Sequence, residues 1–336
     1  MGFLDHAAID SLTHRVDVSG FAGSKILVTG ASGMIGSYFV NTLQELMRIN
    51  GFNSADFLLT SKGGDFRNIV NLNEGGFKFH SGDFTNLSLE NGFHYVFHFA
   101  SPASPINYGD MNAIVKANVL PLRKIQESQS ELIEIIFISA GETLGSKIQG
   151  DGVASSEPVS EKRSHYPNAK LQAEKLIQEI ANETSCQYRI IKLFHSFGPG
   201  VRENDGRSFA DFLWAVARGK PPVIHSDGMD TRSFLYLEDV FSSLLIPISG
   251  EETRTYNVGS SDMISIRDFA QLIMSIGGVS GSPIFTTLPN EYVQSPFRNI
   301  VPDCDWLKSK GWSPNVGLED AIGRTLNSIK YELLNS

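Results

Sequence analysis

Apolar residues in the first two thirds of the chain fall in short continuous runs, separated by longer stretches with helical spacing. Lys25–Thr29 (KILVT), Ala55–Thr60 (ADFLLT), Phe77–His80, Tyr95–Ala100 (YVFHFA), Ile133–Ser139 (IEIIFIS) and Arg189–Phe194 (RIIKLF) are such runs. Short apolar runs rich in β-formers and bounded by turn residues predict strands buried on both faces. Helical spacing occupies 35–49, stopped by Asn50-Gly51, and recurs near 110–129 and 167–184. This alternation predicts an α/β fold of Rossmann type, a doubly wound parallel sheet.

The ends of the chain read differently. Residues 1–20 form an arm, with a short helix expected over 4–14. After residue 195 glycine, proline and arginine become frequent and the elements shorten, with helices expected over 208–218, 238–248, 266–276 and 318–333. The expected organisation is an arm (1–20), a dinucleotide-binding domain (21–194) and a smaller C-terminal α/β substrate lobe (195–336). Elements of the lobe are expected to interleave in part with the first domain.

Composition narrows the function. A length of 336 residues suits a large domain with an added lobe. No run approaches the roughly 20 apolar residues that cross a bilayer. The first residues mix Asp5, His6, Asp10, His14, Arg15 and Asp17 with apolar ones, so no signal peptide is expected and a cytoplasmic setting follows. Cys186 and Cys304 stand far apart without a Cys/His cluster, so neither a disulfide framework nor a metal site is expected. A net charge of −9 without a basic run argues against nucleic-acid binding. An anionic substrate would require a local cluster of arginines.

Candidate chemistry begins at Thr29-Gly30-Ala31-Ser32-Gly33-Met34-Ile35-Gly36, between the first strand and the first long helix. The first glycine allows a tight turn, the second a close approach of pyrophosphate to the backbone, and the third close packing of helix on strand. The second strand ends Thr60-Ser61-Lys62, without the acid that binds an adenosine ribose diol. These three residues could accept a 2′-phosphate, so NADP stands beside NAD.

Tyr166-Pro167-Asn168-Ala169-Lys170 is expected to begin a helix, with Pro167 in its first turn. Spacing of four places Tyr166 and Lys170 on one face. Removing hydride from a carbinol carbon requires a base for the hydroxyl proton. A phenol near pKa ~10 serves only where positive charge favours its anion. Lys170 supplies such charge.

Together these motifs resemble the extended short-chain dehydrogenase/reductases, the NAD-dependent epimerase/dehydratase family acting on nucleotide sugars. The resemblance spans about 23–330. His98-Phe99-Ala100-Ser101-Pro102-Ala103-Ser104-Pro105, with Asn107-Tyr108 and Asn118, resembles the fourth-strand loop and following helix of UDP-glucuronate decarboxylases. Phe197-Gly198-Pro199-Gly200, Asn204-Asp205-Gly206-Arg207, Asp230-Thr231-Arg232-Ser233-Phe234 and Gly311-Trp312-Ser313-Pro314 resemble further family segments.

The resemblance implies cofactor contacts from Gly30, Ser32, Gly33, Met34, Ile35 and Gly36. It extends them to Thr60, Ser61, Lys62, Asp83, Phe84, Phe99, Ala100, Ser101, Asn118, Tyr166 and Lys170, with Asp83 against the adenine. It implies substrate contacts from Ser104, His195, Arg202, Arg207 and Arg232, the arginines serving a diphosphate. Phe209 and Phe234 are open to two readings, packing on a base or sugar and core packing. A homodimer is implied by resemblance only.

Two departures matter. In Ser139-Ala140-Gly141-Glu142-Thr143-Leu144-Gly145, relatives carry Ser or Thr where this chain has Ala140, a hydroxyl bridging tyrosine and substrate. Ser139, Thr143 or a water would have to substitute. In 4,6-dehydratases an Asp-Glu pair stands where this chain has Gly141-Glu142, so the acid is missing. The catalytic set is Tyr166, Lys170, Glu142 and Ser139. The function expected is epimerisation, dehydration or decarboxylation of a nucleotide-diphosphate sugar through a 4-keto intermediate. The alternatives are an NADPH-dependent 4-keto-sugar reductase and a weakly catalytic nucleotide-sugar or cofactor-binding protein.

Overall fold

Every expected strand run becomes a strand, and all but the edge run at 77–81, where Phe79 stays exposed, are largely buried. In the computed structural model, which describes residues 5–53, 55–70, 76–128, 131–147, 161–246, 253–287 and 301–335, these are β1 (Lys25–Thr29), β2 (Asp56–Ser61), β3 (Phe77–Ser81), β4 (Tyr95–His98), β5 (Glu134–Ala140) and β6 (Gln187–Leu193). A further strand, β7 (Arg254–Val258), completes a seven-stranded sheet in the order β7-β6-β5-β4-β1-β2-β3. All of its pairings are parallel. Alternation within β1 explains the runs: Ile26 and Val28 enter one buried cluster and Leu27 another. In β5, Ile136 and Ile138 take the first side, Ile135 and Phe137 the second.

The helices are α1 (His6–Thr13), α2 (Met34–Ile49), α3 (Met111–Ser128), α4 (Glu161–Thr184), α5 (Ser208–Ala217), α6 (Leu237–Leu244), α7 (Ile266–Gly277), α8 (Asp305–Ser309) and α9 (Leu318–Asn335). Phe39 and Leu43 of α2 and Val240 and Phe241 of α6 cover the first face of the sheet. Leu122 and Ile125 of α3 and Ala173, Leu176 and Ile177 of α4 cover the second. Residues of α5, α7 and α9 make a separate aromatic-rich core that includes Phe209, Trp214, Phe269 and Leu326.

β7, α6 and α8 come from beyond residue 195 and pack with the large sheet. Two features depart from the pattern. Strand β4 ends at His98, because Phe99 and Ala100 bend across the glycine turn and donate their N–H groups to the Thr29 carbonyl and hydroxyl. Helix α4 begins at Glu161, so Pro167 sits in its interior rather than in its first turn. Proline has no N–H for the Arg163 carbonyl one turn back, and Tyr166 lies well inside the helix.

The arm has a place in the core. Ala8, Ile9 and Leu12 of α1 are buried against the sheet's first-face cluster. Its polar face meets α6: Ser11 donates to Glu238 at 2.6 Å and Arg15 pairs with Glu238 at 3.1 Å.

Candidate active site

The glycine loop is shaped by contact. Gly30 has φ +69°, and a Cβ there would stand 2.7 Å from the Ala100 backbone. At Gly36 a Cβ would stand 2.4 Å from the Gly30 carbonyl oxygen, so helix α2 could not rest on its own loop. The turn delivers the N-terminus of the 16-residue α2 to the carboxyl ends of the strands, a place suited to phosphate. Ser32 and Ser61 join their hydroxyls at 2.5 Å, and the Thr60 carbonyl accepts from the Ala31 N–H. Lys62 is exposed. The loop could hold the diphosphate of a dinucleotide, and Ser61, at the end of β2, could serve its ribose.

Other expected cofactor residues divide. Asp83 pairs with Lys116 at 2.7 Å. Phe84 packs against the second-face cluster. Phe99 packs into the core, edge-on to Phe39 at 5.4 Å, so only its backbone remains for a ligand. Asn118 is fully buried, and its Oδ1 has no partner among the described residues.

Tyr166 and Lys170 share one face of α4, both buried. Burial pushes the Tyr166 phenol above its ordinary range, and Glu142 adds to this, whereas Arg207 and a hydrogen bond with Ser101 oppose it. Lys170 is pushed down to about 7 by burial, against the pull of Glu174. Its Nζ donates to the Ile138 carbonyl at 2.6 Å and lies 4.6 Å from the Phe137 ring centre.

In front of Tyr166 lies a cavity of about 330 Å³. Glu142, Arg163, His195, Arg207 and Arg232 are among its polar lining, together with Asp211, His225 and Asp230. Arg163 donates to Glu142 Oε1 at 2.5 Å, while Oε2 is buried with no partner among the described residues. Burial raises the Glu142 carboxyl, opposed by Arg163 and Arg232. His195 is pushed down to about 3 by burial and then by Arg232, Arg207 and Arg163, so it is neutral. Arg207 pairs with Asp205, and Arg232 lies 3.7 Å from Asp230.

The structure places Ser104, Ser139 and Arg202, expected to serve substrate or catalysis, outside the cavity lining. Arg202 lies apart from Arg207 and Arg232, donating to the Ser32 carbonyl at 3.2 Å in a second hollow beside the glycine loop. The tight loop 198–201 turns it toward the cofactor side. The Ser104 hydroxyl donates to the Asp205 carbonyl and joins two walls of the cavity instead of facing into it. Ser139 is buried and donates to Glu174, because its side of β5 faces α4 rather than the cavity. Phe209 and Phe234 line the cavity from within the lobe core, Phe234 stacked on Phe269 at 4.1 Å.

Arg163 and Tyr108 were not singled out as site residues by sequence. Arg163 stands three residues before Tyr166, a spacing that shares a helix face. Tyr108 lies parallel to the Tyr166 ring, which only the folded loop reveals.

A sequence model of the NAD dependent epimerase/dehydratase family matches residues 26–259. The chain belongs to this family. It is 27% identical to UDP-glucuronic acid decarboxylase 1 of Xenopus tropicalis over 92% of this chain and 73% of that protein. Against UDP-glucuronic acid decarboxylase 1 of Arabidopsis thaliana the identity is 25%, over 96% of this chain and 74% of the relative. Among solved structures, a UDP-N-acetylglucosamine 4-epimerase from Methanobrevibacter ruminantium M1 superposes with TM-score 0.76 at 19% identity, covering 93% of this chain and 99% of that one. A UDP-glucuronic acid 4-epimerase variant from Bacillus cereus, in complex with NAD and a fluorinated UDP-sugar, superposes with TM-score 0.72 at 24% identity over 92% and 99%. The Rossmann-type fold and the family's cofactor, NAD, agree with the sequence reading. Among the described residues no helix is long and apolar enough to cross a membrane, and no group of side chains could hold a metal.

Proposed function

We propose that this family member oxidises the C4 hydroxyl of a nucleotide-diphosphate hexose and carries the resulting 4-keto sugar to a decarboxylated or epimerised product. The observation that carries the reading is Tyr166 on the wall of a cavity that also bears Arg163, Arg207 and Arg232. Arginines bind diphosphate oxygens through paired hydrogen bonds.

NAD, which the glycine loop Gly30–Gly36 and Lys170 would hold, would supply the hydride acceptor and donor for C4. Tyr166 takes the C4 hydroxyl proton, and Lys170 favours the phenolate and anchors the nicotinamide ribose. In the 4-keto sugar, a C5 carboxylate can leave as carbon dioxide, its bonding electrons passing into the C4 carbonyl as an enolate. Protonation at C5 and return of hydride to C4 then give a pentose. Glu142, fixed by Arg163 through one oxygen, directs its second toward the C5 substituent. Return of hydride to the opposite face of an intact hexose would give an epimer.

Gly141 speaks against dehydration. A Cβ there would stand 2.7–2.9 Å from the Phe194 ring, so an acid beside Glu142 would require that ring to shift. The retained glutamate and the similarity to UDP-glucuronic acid decarboxylases favour decarboxylation.

The test is incubation with UDP-, dTDP-, GDP- and CDP-sugars, UDP-glucuronic acid first, with products resolved by mass and NMR. Loss of carbon dioxide supports decarboxylation, and unchanged mass with inverted C4 supports epimerisation. NAD released on denaturing the purified protein supports internal redox, whereas net consumption of NADPH would support a reductase. The catalytic reading fails if no sugar turns over and Tyr166→Phe changes nothing.

A further inference from the structure

We propose that Lys192 is a positioning residue: paired with Glu174, it sets the register of the turn 140–143, and so of Glu142, against Tyr166. The inference rests on reading Glu142 as the group that faces the C5 substituent of the sugar. Helix α4 carries Arg163, Tyr166, Lys170 and Glu174 at spacings of three, four and four, which keeps them on one face. Tyr166 and Lys170, in the middle, are the reacting pair. The outer two hold the end of β5 and the turn that follows it. At one end Arg163 donates to Glu142 at 2.5 Å. At the other Glu174 accepts from Ser139, the residue before Ala140.

Lys192 completes the second tie. It stands on β6 directly opposite Ser139 of β5, so both side chains leave the same face of the sheet, toward α4. Its Nζ donates to both carboxylate oxygens of Glu174 at 3.1 Å and to Thr143 Oγ1 at 2.6 Å. An ammonium has three N–H bonds, and each has an acceptor here. The Thr143 hydroxyl passes its own hydrogen to the Ala140 carbonyl at 2.7 Å. The hydroxyls of Ser139 and Thr143 thus serve the turn, and neither residue lines the cavity.

Stability alone is a weak reason for such a cluster. The Lys192 and Glu174 side chains are only 10% and 11% exposed, and apolar residues can often replace a buried ion pair without loss. An apolar pair would fill the space but give Thr143 no donor, leaving the turn held at one end only. That end is a single oxygen of Glu142 on the flexible side chain of Arg163. The tie through Lys192 reaches the residue next to Glu142 and fixes the turn on the helix that carries Tyr166.

The experiment compares Lys192→Met combined with Glu174→Gln against Lys192→Arg. The double variant leaves no unpaired charge in the interior, and its glutamine can still accept from Ser139. On the nucleotide sugar that the parent turns over, the double variant should lose kcat by about tenfold to a hundredfold, as for a reacting group displaced by about 1 Å. KM should stay within about twofold, as for groups that act after binding. Because Glu142 acts once C4 is oxidised, absorbance of the reduced cofactor should build up during turnover, which a merely less stable protein would not show. Lys192→Arg keeps a cation in reach of Glu174 and Thr143 and should recover most of the lost rate.

A crystal structure of the double variant needs no sugar and should show the turn 140–143 displaced relative to Tyr166 by about 1 Å. The proposal is overturned if that turn is unmoved, or if kcat and cofactor absorbance match the parent. A parent that turns over no sugar in the panel would sink the functional reading, and the crystal comparison would still decide this one.

Discussion

Tyr108 and Tyr166 stack with ring centres 5.0 Å apart and planes 11° from parallel, and the Arg163 guanidinium lies 5.5 Å from the Tyr108 ring centre. The stack presses the loop after β4 against the helix that carries the catalytic pair. Tyr108→Phe preserves the ring and should leave kcat nearly unchanged. Tyr108→Ala removes a buried aromatic, which typically costs about 3–5 kcal/mol of stability. It also frees the Tyr166 ring, and misplacement of a reacting group by about 1 Å can lower rate a hundredfold. Thermal unfolding and kcat measured on both variants check this. Equal loss in Tyr108→Phe would mean that the hydroxyl, not the ring, matters.

The contact between Gly141 and Phe194 predicts that dehydratase chemistry cannot be installed by one substitution. Gly141→Asp alone should be destabilised by roughly 1–3 kcal/mol, the usual range for overpacking. A second change, Phe194→Ala, should relieve the clash, so that the double variant regains part of the loss that each single change causes. A double-mutant cycle by denaturant unfolding measures the coupling. Additive effects would show that the ring moves aside freely.

Lys170 makes folding stability depend on pH. Burial pushes its folded value to about 7, from an ordinary lysine value of 10.5. Between these values the unfolded chain holds a proton that the folded chain has released. Stability rises with pH wherever the unfolded state binds more protons. Lys170 therefore contributes a gain as pH rises from about 7 toward 10.5, reaching at most ~1.4 kcal/mol per pH unit. Below about 7 its contribution no longer changes. Lys170→Met should flatten this limb in denaturant unfolding between pH 7 and 9.5, and an unchanged slope would show that Lys170 keeps its proton in the fold.

Much of this was legible in the sequence. Five of the six runs became strands because parallel strands covered on both sides need continuous apolar sequence, while the edge run Phe77–Ser81 is held by pairing with β2 and keeps Phe79 exposed. The seventh, Arg254–Val258 (RTYNV), was missed because it alternates polar and apolar residues in polar surroundings instead of forming an apolar run. Its place is set by pairing with β6, which the chain's own pattern does not state. Tyr166, Lys170 and the glycines were readable because their chemistry depends on fixed local spacing. Where Ser104, Ser139 and Arg202 point was not legible, because side-chain aim depends on which way a loop or strand turns, a tertiary property. Arg163 and Tyr108 reach Tyr166 across a helix and a loop, and only one of those contacts is local in sequence.

The arm gives the last prediction. Asp5 and Tyr236 hydrogen-bond at 2.5 Å, and Arg324 reaches Glu238 at 2.9 Å and Asp5 at 3.6 Å. Glu238 and Asp239 are both raised, chiefly by burial, with hydrogen bonds and arginines opposing. A carboxyl raised in the fold favours the folded state most where it is protonated, and that contribution fades as pH rises through the folded value. Removing Arg324 takes away a cation that opposes the shift at Glu238, so Arg324→Met should raise the Glu238 carboxyl further and extend this loss of stability to higher pH, up to its new folded value. Breaking a buried pair by removing one partner costs about 3–5 kcal/mol, and the partial exposure of Arg324 places the expected loss below that range. Glu238→Gln in the Arg324→Met background should recover part of the loss, because no unpaired carboxylate then remains at residue 238. Denaturant unfolding at pH 5 and pH 8 separates the outcomes. A pH-independent deficit with no recovery would show that Arg324 acts through packing on Tyr236 rather than through charge.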